Sequence, residues 1–460
     1  MQYPYHPNGR GFDEYYGFCS GHWGHYFSPI LEHNGERVRG EGYVTDDFTN
    51  HALKFMEDSR KKGKPFFCYL LYCIPHSPMQ VPDEFFEKFD GKTLEKRHRD
   101  PKQEEVPKTR AALAMCENID WNVGRILKKL DEMSIAENTI VIYFSDNGPN
   151  SWRWNGGMKG RKGSTDEGGV RVPFVIKWPK SIPAGTKVPQ IAGAIDLLPT
   201  LADLAEIPVQ SENPLDGMSL KPLLTGAKVQ WPDRIIFSHW NRKVSARNQQ
   251  YRLDNNGQLF DMSQDPEQRK NVAGDNPKVA KRLQTALNQW KREVLSELKR
   301  EDRPYTVGYS EFPITHLPAR DGVPHGQIKR SARAPNCSFF TNWKSTEDSI
   351  TWDLDVNTAG TYEATVYYTC KKSDVGCQIA LDFQGAMAKA KVTEAHDPPL
   401  IGAKEDRVPR QGESYVKDFL PLSLGEIKLA KGEGKLTLKA IEIPGDAAIE
   451  VREIVLTLKP

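Results

Sequence analysis

The chain lacks a charge imbalance: 63 Lys and Arg stand against 61 Asp and Glu, a formal net charge of +2 over 460 residues. That balance excludes the basic footprint with which nucleic-acid-binding proteins neutralise phosphates. Long apolar runs are missing too, since none approaches the roughly 18 residues of a membrane-crossing helix and the longest are strand-sized. Neither a charged n-region nor an apolar h-region follows Met1. The chain opens instead on QYPYHPNGRGFDEYYGF, a loop-like segment that reads as protein interior and not as a signal peptide. Either the chain is cytoplasmic or its real beginning lies upstream. Cysteine is sparse at seven residues. Cys68, Cys73 and Cys116 sit in apolar segments as small hydrophobes, whereas Cys370 and Cys377 flank a polar loop between alternating strands. A cross-hairpin disulfide is expected there, and with it an oxidising compartment.

What is present is room for two to four domains and one stretch that organises the rest, Asn138 to Gly148 (NTIVIYFSDNG). Thr139 to Phe144 is apolar throughout, so the expectation is a strand buried on both faces of a parallel sheet. Ser145-Asp146-Asn147-Gly148 then sets a carboxylate beside a carboxamide on a turn at the strand's carboxyl end, where α/β sheets hold ligands. Both an Asx turn and a ligand pair fit that pattern.

In chain order, a helix is expected from Thr45 as N-cap, with Asp46 and Asp47 stabilising its positive end and not holding a metal. PFFCYLLYCIPH forms a second buried-strand pattern and delivers His76, between Pro75 and Pro78, to a sheet edge. Lys88 to Arg110 reads as a solvated, charged excursion. A long periodic helix carrying Ile119, Val123, Ile126, Leu127 and Leu130 leads into the organising strand. After Gly148, a glycine-rich loop brings Lys159, Arg161 and Lys162 together, a combination suited to an anion but without the spacing of a nucleotide P-loop. A short helix starts near Asp196, with Pro199 in its first turn. Strands at 234–240, 250–253 and 258–262 then precede a helix with Val279, Leu283, Leu287, Trp290 and Val294 on one side, a small α+β subdomain.

Six segments in this order carry a resemblance: GRGFDEYYGF, KPFFCYLLYCIPHSP, DEMSIAENTIVIYFSDNGP, KGSTDEGGVRVPFVIKWP, AIDLLPTLADLAEI and LFDMSQDPEQRKNVA. Over roughly the first 295 residues the chain resembles a type I sulfatase, of the arylsulfatase family in the alkaline-phosphatase-like superfamily. The resemblance implies a mixed-sheet α/β core and hydrolysis of sulfate esters. It also implies that Asp146 and Asn147 ligate a divalent cation, Ca2+ in most members with Mg2+ as the alternative, through oxygen donors that suit a hard ion. Lys162 would contact the sulfate, with Lys159 second in rank, and His76 would serve the leaving group. The family's formylglycine nucleophile is made from a C/S-x-P/A-x-R motif, which is absent from these 460 residues. The expectation is therefore a sulfatase lacking its N-terminal portion and inactive alone, whose full-length form is periplasmic or secreted and acts on a sulfated small molecule or polysaccharide.

From about Pro304 the pattern changes to period-two alternation: Ile350, Trp352, Leu354 and Val356; Tyr362, Ala364, Val366 and Tyr368; Ile379, Leu381 and Phe383; Leu436 and Leu438; Ile454, Leu456 and Leu458. This predicts an antiparallel, jelly-roll-like sandwich that resembles carbohydrate-binding modules. Trp343 serves either sugar stacking or core packing. The expected organisation is a partial catalytic core over 1–208, a small α+β subdomain over 209–300, a linker over 301–328 and a sandwich over 329–460. A non-catalytic carbohydrate-binding protein and a phosphoester or phosphonate hydrolase of the same superfamily are the alternatives.

Overall fold

The computed structural model describes residues 2–19, 22–298 and 303–460. The chain divides into two compact units, one comprising Met1–Gly91, Arg110–Gly124 and Glu301–Pro460, the other Lys92–Thr109 with Arg125–Arg300.

The first unit is built on the C-terminal sandwich. One sheet runs Tyr305–Val307, Ser349–Val356, Gly432–Glu442, Gln378–Phe383, Ala386–Lys391, with Val323–His325 also on Ser349–Val356. Its counterpart runs Lys329–Arg330, Phe340–Thr341, Glu450–Leu458, Gly360–Thr369, Leu420–Leu429, with Ile314–Pro318 also on Glu450–Leu458. The residues expected inward from the alternation line one continuous core between these sheets. Trp343 belongs to that core, with its indole N–H donating to the Ser345 carbonyl oxygen at 3.2 Å, so its role is packing. The stretch 301–328, expected as a linker, supplies three of the sandwich strands. Cys370 and Cys377 are buried free thiols, and the expected disulfide is absent.

The amino-terminal part of the same unit begins with Ile30–His33 and Glu36–Arg39, an antiparallel hairpin turned by Asn34 and Gly35 at positive φ, the backbone that an Asn-Gly turn requires. The helix Val44–Lys61 follows, starting one residue before Thr45, whose buried hydroxyl caps nothing. Asp47 accepts from the Tyr16 hydroxyl at 2.7 Å, and Asp46 accepts from Asn118 and Asn122 at 2.9 and 2.7 Å. Both carboxylates thus serve the packing of this helix.

Residues 65–73 are a correction. They form no strand, and no described strand pairs with them. Leu70 and Tyr72 pack on the amino-terminal core, while Phe67, Tyr69 and Leu71 stand 53–64% exposed. The apolar run sets what such a strand favours, and burial of its second face depends on neighbours that no described residue supplies.

The long helix Val106–Glu132, whose residues Arg110–Gly124 belong to the first unit, leads through a 3-10 turn into Val141–Phe144 of the second. This strand pairs antiparallel with Phe174–Lys177, in a two-stranded sheet. The expected parallel, fully buried strand is therefore corrected on both counts: Tyr143, Phe174 and Val175 are exposed. The subdomain gains a strand that the sequence reading left out, Lys243–Arg247, and forms a four-stranded antiparallel sheet in simple chain order. Helix Pro277–Val294 packs Leu283 and Leu287 against that sheet. The fold class is α/β with mixed sheets, a small α+β subdomain and a C-terminal all-β sandwich.

Candidate functional site

The strand Val141–Phe144 ends in the turn that carries Asp146 and Asn147, and the glycine-rich loop folds back on it. The Gly148 N–H donates to the Gly169 carbonyl oxygen at 2.9 Å, the Lys162 N–H to that of Pro149 at 2.9 Å, and the Arg161 guanidinium to that of Asn150 at 2.5 Å. A Cβ at position 148 would lie 2.0 Å from the Gly168 oxygen, so only glycine permits this approach. A Cβ at position 169 would lie 2.3 Å from the Ser164 oxygen. The glycines allow the backbones to touch, and this brings Lys162 to the Asp146 turn.

Asp146 and Asn147 side chains meet directly, the Asn147 amide donating to the Asp146 carboxylate. Both residues carry side-chain oxygens on this turn, Asp146 exposed and Asn147 half-buried, and could supply part of the six to eight oxygens that calcium takes. The donor set therefore fits a hard cation as a partial shell. Lys162 is half-buried, and its ammonium has no hydrogen bond or ion pair among the described residues. A second cluster brings atoms of His6, Cys19 and Glu32 within 4.8 Å. There, His6 Nδ1 accepts the Asn8 N–H at 3.2 Å and Nε2 lies 2.7 Å from Glu32, so both ring nitrogens are already engaged.

Lys159 is placed differently from Lys162. Its ammonium lies 2.8 Å from Asp254 and 3.4 Å from Asp166, above the Phe260 ring at 4.9 Å. Two carboxylates already satisfy it, so of the two lysines Lys162 is the one left for a ligand.

The loop's far end is fixed by residues that the sequence reading passed over. Glu167, buried, accepts from Arg252 Nε and Nη2 at 3.1 and 2.7 Å, with Arg247 at 3.5 Å. Burial, together with the Arg252 and Arg171 charges, lowers the Arg247 pKa against the opposing pull of Glu167. Ser245 and Arg252 also donate to the Thr165 carbonyl oxygen at 2.7 and 2.8 Å. The small sheet is thus what anchors the cationic loop. An Arg in a short strand with an Asp just past the strand's end, Arg252 and Asp254, is a pattern too common to have been read as an anchor.

His76 belongs to the first unit. Its Nδ1 lies 2.8 Å from the Ser77 carbonyl oxygen, which can only accept, so Nδ1 carries a proton. Nε2 is then the atom open to exchange a proton, and the ring stacks on His22 at 4.8 Å.

A family model described as sulfatase matches residues 1–207, and one described as N-sulphoglucosamine sulphohydrolase, C-terminal, matches residues 162–293. The chain belongs to the sulfatase family. The uncharacterised sulfatase YdeN of Escherichia coli K12 is 28% identical over 347 residues, 64% of this chain and 59% of YdeN. Mouse N-acetylgalactosamine-6-sulfatase is 31% identical over 265 residues, 53% of this chain and 47% of the mouse protein. The solved structure of Ps i-CgsB matches with a TM-score of 0.57 at 31% identity, covering 63% of this chain and 68% of that one. The same protein has been solved with a k-i-k-neocarrahexaose. The chain spans about half the length of the curated relatives it matches. In this sulfatase-family chain, the Asp146 turn and the Lys162 loop both fall inside the region matched by the sulfatase model.

Proposed function

We propose that this chain carries part of the active centre of a sulfuric ester hydrolase acting on sulfated carbohydrate. The observation that supports the reading is the stitched pair of loops: backbone hydrogen bonds join the Asp146–Asn147 turn to the loop that carries Lys162, whose ammonium has no hydrogen bond or ion pair among the described residues. Asp146 and Asn147 would hold a calcium ion, which when bound offsets negative charge on sulfate oxygens. The Lys162 ammonium orients the ester by charge and hydrogen bonding, without needing to move a proton. His76, held through Nδ1–H by Ser77, would in its imidazolium form give the Nε2 proton to the departing oxygen and be left as the neutral ring. Fixed charge on the sulfate and a proton for the leaving group are the two needs of sulfate ester cleavage.

No nucleophile is assigned to this chain, because its 460 residues contain no C/S-x-P/A-x-R motif. Residues 1–460 alone are therefore expected to release no nitrophenol from nitrophenyl sulfate, and robust turnover would overturn that part of the proposal. Ligand recognition is expected to persist. Calorimetry with galactose 6-sulfate should show calcium-dependent binding that Asp146→Ala and Lys162→Ala each weaken by about tenfold. Binding indifferent to both substitutions would refute the site. A preference for the matching phosphate ester would turn the reading toward phosphoester hydrolysis. Export to the periplasm or the cell exterior, with a polysaccharide as partner of the sandwich, completes the proposal.

A further inference from the structure

A cavity of about 430 Å³ opens in the second unit. His98 and Arg99 line it from the charged connection, Trp152 and Lys159 from the glycine-rich loop, and Phe260 and Arg269 from the small subdomain. Its volume lies within the range of small-molecule sites. Gly160, also in its wall, stands two residues before Lys162, so the cavity and the proposed sulfate-binding lysine share one loop.

Arg99 sets the chemistry of this cavity. The half-buried guanidinium donates through Nη1 to the Glu267 carbonyl oxygen at 3.1 Å and meets no carboxylate among the described residues. Most of its donors remain unspent, and a cation withdrawn from water without a counter-ion calls for an anion. The planar fork suits the paired oxygens of a sulfate or carboxylate. The other cations of the wall are already committed: Lys159 to Asp254 and Asp166, and Arg269 to Glu267. His98 adds a second unspent group. Its ring is buried with Nδ1 bonded to the Asp100 backbone, and Nε2 has no hydrogen-bond partner among the described residues. Trp152, 5.0 Å from the His98 ring, supplies the apolar wall that sugar rings favour.

We propose that this cavity is a second anion subsite, which takes a further sulfate or carboxylate borne by the same saccharide, with Arg99 as the residue that selects it. The proposal rests on the sulfated-carbohydrate reading and narrows it to substrates with two anionic groups. Lys162 serves the ester to be cleaved, and Arg99 serves its neighbour.

Calorimetry of the 460-residue chain, in calcium, with a monosulfated and a disulfated galactose disaccharide tests this. The disulfated sugar should bind about tenfold more tightly to the wild type. Arg99→Gln should cut that preference to about twofold or less and leave the affinity for the monosulfated sugar unchanged. Arg99→Lys, which keeps the charge without the fork, should retain part of the preference, a graded result that misfolding would not produce. Equal affinity of the wild type for the two sugars, no binding of either, or an undiminished preference in Arg99→Gln would overturn the proposal. Lys162→Ala separates it from the reading on which it rests: if Arg99→Gln abolishes the preference while Lys162→Ala changes nothing, the sulfate site falls and the subsite stands.

Discussion

The C-terminal sandwich and the glycine-rich loop region are held together by different forces. In the sandwich, Ile350, Trp352, Leu354 and Val356 are at most 1% exposed and their strand is paired along its whole length. Apolar burial sustains it, at roughly 25 cal/mol for each Å² removed from water. Around Asp146, by contrast, Tyr143, Phe174 and Val175 are 36–59% exposed, and the loop is fixed by glycine contacts, backbone hydrogen bonds and the buried Glu167–Arg252 pair. Such polar anchoring places the Lys162 and Asp146 side chains without burying them, as a binding site requires. The cost is that single polar groups matter as much there as methylenes do in the sandwich.

The largest expected effect follows from that anchoring. Glu167→Ala leaves Arg252 buried without its partner and should cost about 3–5 kcal/mol in the second unit, read as a lowered urea midpoint. In the sandwich, Leu354→Ala empties a fully buried position and should cost about 2–5 kcal/mol by the same measurement, while leaving calcium-dependent sugar binding intact. If Leu354→Ala weakened sugar binding as much as Glu167→Ala does, the contrast between the two regions would be wrong.

A smaller, pH-dependent effect lies where the amino-terminal hairpin meets the sandwich. Burial opposes the charge on His316, but the Glu453 carboxylate outweighs it and pushes the pKa up to about 9. Glu453 is likewise opposed by burial, yet Arg37 and His316 hold it well below the usual carboxylate range. The raised His316 pKa stabilises the fold fully below its unfolded value near 6.5, and that contribution fades as pH rises through about 9. The depressed Glu453 pKa contributes above the ordinary value near 4.5 and is lost in stronger acid. The urea midpoint should therefore fall between pH 7 and 9, and His316→Gln should flatten that slope. The smallest effect is expected at Leu71, 60% exposed on the unpaired segment, where Leu71→Ala should stay within about 0.5 kcal/mol of the wild type.

How much the sequence revealed differs along the same line. Alternation in the sandwich reports directly on two faces, one inward and one outward, so residues such as Trp352 and Leu456 could be placed in the core from the pattern alone. The run Thr139 to Phe144 and the segment 65–73 showed only that they are apolar, and the neighbours that decide burial are not written in the run itself. Asp146, Asn147 and Lys162 were legible as candidates because Gly-bordered polar residues after an apolar strand form a local signal. Arg99 and His98 were not: in a stretch rich in Lys, Arg, Asp and Glu they look like solvated charge, and only the fold turns them toward a cavity. The anchors Arg252 and Asp254 reach the loop from about 90 residues away in sequence, a separation at which no spacing rule operates.

The central claim is that the Asp146–Asn147 turn is a cation site. Terbium luminescence, with calcium as competitor, measures this on the chain as it stands. Wild type should show saturable terbium binding that calcium displaces, and Asp146→Ala should weaken it by about tenfold or more. Terbium binding of equal strength in Asp146→Ala would contradict the account.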